Sequence, residues 1–271
     1  MTRKLSVAHL SAIDLAPPAF IEAAGAAGYD AVGLRLIRVT DDTPGYPLMG
    51  QAQALRETQS ALKRTGLDVS DIEFVRITPD FEIEPLLPFL DTGAELGARH
   101  VIAAPYDPDL DRLADRLAEL SEAGHARGLS IVLEFFPWTV VPDLATCRQV
   151  VEKAGPEVGI LVDSLHFDRS GSGFDDLAGL PPSRLPFAHL CDAPVLPAYT
   201  SEQLIDTARS DRLPPGQGDI DLHRFLAALP ADIPLGLEVP MRNSAVDRDL
   251  IGQLRQLRDA TLDLLETVGH T

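Results

Sequence analysis

Lysine is nearly missing: Lys4, Lys63 and Lys153 are the only three in 271 residues. Imine catalysis in a barrel needs a lysine at the end of a buried strand. Lys4 precedes the first strand and the other two fall near helix ends, so Schiff-base chemistry is excluded. Cysteine is as scarce. Cys147 and Cys191 lack CxxC spacing and give neither a zinc knuckle nor a disulfide framework. They read as reduced core thiols of a cytoplasmic protein. Positive charge is short too: 23 Lys+Arg against 41 Asp+Glu leave a formal charge of −18. A surface of that sign repels nucleic acid and acidic membranes, and points to a small-molecule partner. No run approaches 18 uncharged apolar residues, and the amino terminus runs straight into a strand and a helix start. Neither a membrane span nor a signal peptide is expected. The Gly-rich phosphate loop that opens a Rossmann domain is also missing after the first strand.

What is present is alternation. Apolar, β-branched runs begin at Leu5, Asp30, Asp68, His100, Ser130, Gly159, Pro186 and Pro234. Stretches with apolar spacing near 3.6 lie between them, five closed by Gly28, Gly66, Gly97, Gly128 and Gly155. Strands alternating with helices pair in parallel through right-handed crossovers. Eight such units without a linker predict an α/β chain forming a single (β/α)8 barrel over residues 1–271, a normal length for that fold. Three connections exceed the usual βα loop: RVTDDTPGYPLMG after strand 2, the 28-residue segment from Ala193 to Ile220 after strand 7, and PMRNSA after Glu238. All lie on the carboxyl side of their strands, where barrel enzymes build their sites.

Four of the apolar runs carry a residue that does not belong in one: Glu134 in IVLEFF, Asp163 in GILVDSLHF, His189 in FAHLCDA and Glu238 in PLGLEVP. Burying an unpaired carboxylate costs several kcal/mol. Three carboxylates and an imidazole at the ends of strands 5 to 8 therefore need a shared partner. Strand parity supports this, because each shares a face with the residue two positions earlier: Val132, Leu161, Phe187 and Gly236. A divalent cation satisfies such a set, and oxygen ligands with one histidine favour Mn²⁺, Mg²⁺ or Co²⁺, with Zn²⁺ also open.

With these residues in place, the chain resembles the xylose isomerase-like TIM barrels, the sugar phosphate isomerase/epimerase superfamily that includes ketose 3-epimerases, hydroxypyruvate isomerases and inosose dehydratases. The resemblance rests on LEF at Glu134, D-x-x-H at Asp163 and His166, H-x-x-D at His189 and Asp192, and PGQGDID from Pro215 with LEV at Glu238. It implies that Glu134 and Glu238 both bind the metal and exchange the substrate proton, while His166 contacts a substrate oxygen. It implies a small carbohydrate-like substrate and an isomerase or epimerase working through an enediolate. If one carboxylate instead protonates a departing β-hydroxyl, the same site is a dehydratase of an inosose-like or dehydroshikimate-like cyclic ketone. The related AP-site endonucleases hold three zinc ions with more histidines than this chain places suitably, and they act on an anionic backbone. A binding barrel without catalysis is a further alternative. A homodimer or homotetramer is left open.

Further candidates for lining the pocket are His9, Arg35, Glu73, Trp138, Asp192, Arg209 and Arg242. Arg209 and Arg212, before PGQGDID, could clamp a carboxylate or phosphate, or pair with nearby aspartates in solvent. Arg35 stands where many relatives have a glutamate, and FPWTVV after Glu134 lacks the extra acidic residue of ketose 3-epimerases. His100, His125, His223 and His270 read as structural.

Overall fold

The apolar runs become strands wherever β-branched residues cluster between glycine or proline punctuation. In the computed structural model, which describes residues 3–40, 43–241 and 249–268, they are β1 (Leu5–Val7), β2 (Ala31–Arg35), β3 (Asp68–Ile77), β4 (His100–Pro105), β5 (Ser130–Glu134), β6 (Gly159–Asp163), β7 (Ala188–Leu190) and β8 (Leu235–Leu237). All are parallel, each pairs with the next in chain order, and β8 closes onto β1, giving a (β/α)8 TIM barrel.

Helices α1 (Pro17–Ala27), α2 (Ala52–Thr65), α3 (Leu87–Glu95), α4 (Leu110–His125) and α5 (Leu144–Ala154) complete the first five units. The expected start and stop signals are used. Prolines open α1 at its first turn, and the Asp109 carboxylate accepts the Asp111 and Arg112 amides at the start of α4. Gly28 ends α1 at φ 90°, a left-handed conformation that suits glycine. The later units are α6 (Ser164–Ser170), α7 (Phe174–Ala178), α8 (Ser201–Ser210), α9 (Leu222–Ala228) and α10 (Leu250–Thr267). Two of these, α6 and α8, go beyond the helices read from the sequence. The long connection after β7 contains α8, held by a capping box between Thr200 and Gln203. His166 lies in α6, which starts directly at the end of β6.

Two apolar cores follow from strand parity. The larger, including Val32, Leu34, Ile131, Leu133, Ile160 and Val162, packs between strands and helices. The smaller fills the barrel interior with Phe74, Ile102, Ala104, Val132, Phe136, Leu161 and Phe187. Strand β3 departs from simple alternation. Its register against β2 shifts between Val32 and Gly33, so Val69 packs in the outer core while Asp71 pairs with Gly33 and Glu73 with Arg35 on the inner face. Among the described residues, no helix is long and apolar enough to cross a membrane.

Candidate active site

Glu134 and Asp163 end β5 and β6, His189 lies within β7, and Glu238 follows β8 by one residue. Their ligand atoms all lie within 4.8 Å of one another, and among the described residues this is the one such cluster of His, Cys, Asp and Glu. All four are buried, Glu134 and Glu238 at 5% exposure and the other two at 1% or less. The Nδ1 of His189 is 4.0 Å from Asp163 Oδ2 and 3.9 Å from Glu238 Oε2. Glu134 Oε1 and both ring nitrogens of His189 are buried without a hydrogen-bond partner. Orphaned polar atoms of this kind are costly when dry, and three carboxylates with one imidazole suit a hard divalent cation. The cluster fits a metal site.

Arg212 occupies a position that the sequence reading assigned to solvent or substrate. It is 2% exposed, and its Nη1 and Nη2 each lie 2.7 Å from a ligand carboxylate, Asp163 Oδ2 and Glu238 Oε2 respectively. Its Nε donates to Ala208 O at 2.9 Å, which ties the end of α8 to the site. The pairing is therefore neither solvated nor with local aspartates. A carboxylate has about four lone-pair positions, so this contact leaves room for a cation on the same groups. Asp163 uses its other oxygen to cap α6, accepting from Leu165 N at 2.7 Å and His166 N at 3.3 Å.

Electrostatics differ sharply between neighbours. Burial pushes the Asp163 carboxyl up, but Arg212, His166 and His189 more than offset it and hold the group well below the usual carboxylate range. Burial, then the charges of Glu238 and Asp163, push Glu134 far above that range. His166 is driven down to about 4, first by burial. Its Nε2 is 3.8 Å from Glu134 Oε1, its Nδ1 has no partner, and Phe136 and Trp138 meet its ring edge-on at 4.8 and 5.2 Å.

A cleft opens above the cluster. Glu134, Glu238, His166 and Arg212 form its polar side; Phe74, Tyr106, Phe136 and Trp138 form an apolar wall. Arg35 and Glu73 line it as a buried pair, Nη2 to Oε2 at 3.2 Å, with Arg35 Nε and Glu73 Oε1 unpartnered. The exposed Arg209 stands at the mouth. The β2–α2 connection adds Val39, Thr43 and Pro44. None of the three lysines lines the cleft.

Two expected pocket residues are elsewhere. His9 is fully buried, stacked between Phe20 and Tyr46; its Nε2 lies 2.8 Å from Leu15 O and its Nδ1 accepts the Arg35 amide at 3.1 Å. Both nitrogens are used, so His9 supports the backbone. The Asp192 carboxylate accepts from the Ala193, Gly216 and Ile220 amides and organises the PGQGDID segment. Arg242 lies outside the described residues.

A family profile for xylose isomerase-like TIM barrels matches residues 21–261. The chain belongs to that family. Among curated members, the inosose isomerase of Bacillus velezensis is 30% identical over 152 residues, 52% of either chain. The 3-dehydroshikimate dehydratase of Pseudomonas aeruginosa is 33% identical over 148 residues, 50% of this chain and 23% of that protein. The chain thus matches about half the length of the first relative and a smaller part of the second. Among solved structures, the IolI protein with a bound zinc atom superposes with a TM-score of 0.79 at 20% identity, over 98% of this chain and 99% of its own. At that identity the likeness shows the fold.

Proposed function

We propose that this xylose isomerase-like barrel is a metal-dependent isomerase or epimerase of a small polyhydroxy ketone. It would act by moving the proton next to the carbonyl. The observation that carries this reading is the placement of Glu134 and Glu238, two carboxylates of the ligand cluster that both reach the cleft, from strands three apart. A divalent cation held by Glu134, Asp163, His189 and Glu238 would supply Lewis-acid stabilisation of an enediolate. One glutamate takes the proton and the other returns it on the far face, the division of labour that inverts a centre. His166, which lines the cleft and has an unpartnered Nδ1, donates to or accepts from a substrate oxygen. The aromatic wall excludes water, which strengthens each of these polar contacts. With no lysine in the cleft, an imine route has no nucleophile.

Dehydration is the second reading, favoured by the 33% identity to a 3-dehydroshikimate dehydratase. Both begin with the same proton removal and diverge at the fate of the β-hydroxyl, so one experiment separates them. Keto-sugars and keto-inositols are incubated with the protein and Mn²⁺ in D₂O, and recovered substrate and product are read by mass spectrometry. Under the first reading deuterium is expected next to the carbonyl of an epimer or aldose; under the second the same hydrogen is lost to solvent with the β-hydroxyl, and the product is an enone lighter by one water. Turnover with complete retention of the original hydrogen would overturn both and indicate hydride transfer. Glu134→Gln and Glu238→Gln should each slow exchange by about 10²–10⁴, the usual loss on removing a general base. Exchange within about tenfold of wild type would contradict that role.

A further inference from the structure

The barrel interior is lopsided below the ligand cluster. The walls from β4, β5 and β6 carry Ile102, Val132 and Leu161, whereas β8, β1 and β2 present Gly236, Ser6, Ala31 and Gly33. The space left by the two glycines is taken by two side chains. A Cβ on Gly33 would lie 2.5 Å from Asp71 Oδ1 and 3.0 Å from Oδ2. A Cβ on Gly236 would lie 2.8 Å from His189 Cδ2, 3.1 Å from Nε2 and 3.1 Å from Ser6 Oγ. Strands β3 and β7 face each other across an eight-stranded barrel, so Asp71 and His189 lean from opposite walls over the same small-residue side.

Each carries an atom without a partner there. His189 turns Nδ1 toward the carboxylates of the cluster and Nε2 down toward Gly236 and Ser6, and Nε2 makes no hydrogen bond. Asp71 is 1% exposed; its Oδ2 accepts from Ser70 Oγ, and its Oδ1 makes no hydrogen bond. Burial raises the Asp71 carboxyl, and the nearness of His189 opposes this.

We propose that Asp71 is a positioning residue for the metal centre, accepting the Nε2–H of His189 through one water bound beside Ser6 Oγ. This contact fixes the tautomer that leaves the Nδ1 lone pair free for a cation. It rests on the metal-site reading above. Carboxylates that orient ligating histidines in this way typically change metal affinity 10–100-fold when removed. Gly33 and Gly236 then have a role as well, since a methyl at either position would displace one partner.

The first measurement needs no metal. In the metal-free wild-type protein, ¹⁵N NMR of labelled histidine should show His189 as the Nε2–H tautomer. An Nδ1–H or freely mixed state would overturn the proposal even if the Asp71 variants fail to fold. The second measurement is Co²⁺ or Mn²⁺ affinity by calorimetry on Asp71→Asn and Asp71→Ala, with circular dichroism as the control for fold. A folded Asp71→Ala should bind about 10–100-fold more weakly, and Asp71→Asn by an intermediate factor because its amide oxygen still accepts. Affinity within twofold of wild type in folded Asp71→Ala would overturn the proposal. Wild-type protein that binds neither metal, yet shows the Nε2–H tautomer, would sink the metal reading and leave the Asp71–His189 contact standing.

Discussion

Individual side chains in this barrel act by whether their polar atoms find partners. His9 is the clearest case outside the cleft. It donates from Nε2 to Leu15 and accepts at Nδ1 from Arg35, a pattern open only to the neutral ring. Burial lowers it to about 3 from an ordinary value of 6.5. Below about pH 6.5 the unfolded chain therefore takes up a proton that the folded chain refuses. Stability from His9 is complete at neutral pH and declines as pH falls toward about 3. At pH 5 the loss is about 2 kcal/mol, from 1.4 kcal/mol per pH unit. Urea unfolding at pH 7 and pH 5 should show wild type losing about that much more than His9→Gln; equal losses would contradict the account. The glutamates and histidine of the cluster were legible from the sequence because each interrupts an apolar run. His9 also ends such a run, and nothing in its neighbours shows that both nitrogens are used by the backbone. Arg212 gave no signal of depth either, because it follows a polar, helix-forming stretch that reads as surface.

Elements were legible where one periodicity held and obscure where two met. Eight of the ten described helices could be read from glycine, proline and apolar spacing. The exceptions were α6, which starts without a break at the end of β6, and α8, ten residues whose apolar positions, Leu204, Ile205 and Ala208, are too few to stand out. Its start depends on the reciprocal bonds of Thr200 and Gln203. Thr200→Ala should cost about 1 kcal/mol, felt locally: amide exchange within residues 201–210 should quicken roughly fivefold while strand amides keep their protection. A uniform change across the barrel would show that the cap is not a local device. Strand β3 illustrates the opposite difficulty. Alternation across DVSDIEF would set Val69, Asp71 and Glu73 on one face, and only the register shift against β2 sends Val69 outward and the acids inward. A bulge leaves no mark on composition, so Glu73 was found as a candidate while Asp71 was not.

At the scale of the whole molecule, closure of the sheet brings four strand ends that are consecutive in sequence into one acidic centre on a chain of charge −18. A cation bound there stabilises the entire fold by mass action. At a hundredfold excess over the dissociation constant the gain is about 2.7 kcal/mol, which for a chain of this size raises Tm by roughly 5–10 °C. Thermal scans of chelator-treated protein with and without Mn²⁺ should show that rise, and coincident melting curves would count against the metal site. Arg212 gives this balance a second lever. Its guanidinium neutralises Asp163 and Glu238, and its Nε is fastened to the end of α8. The charge of the centre and the placement of the β7–α9 connection are therefore linked equilibria. Whatever draws the connection inward brings the guanidinium with it. By reciprocity, whatever competes with the guanidinium for those oxygens loosens the connection by the same free energy.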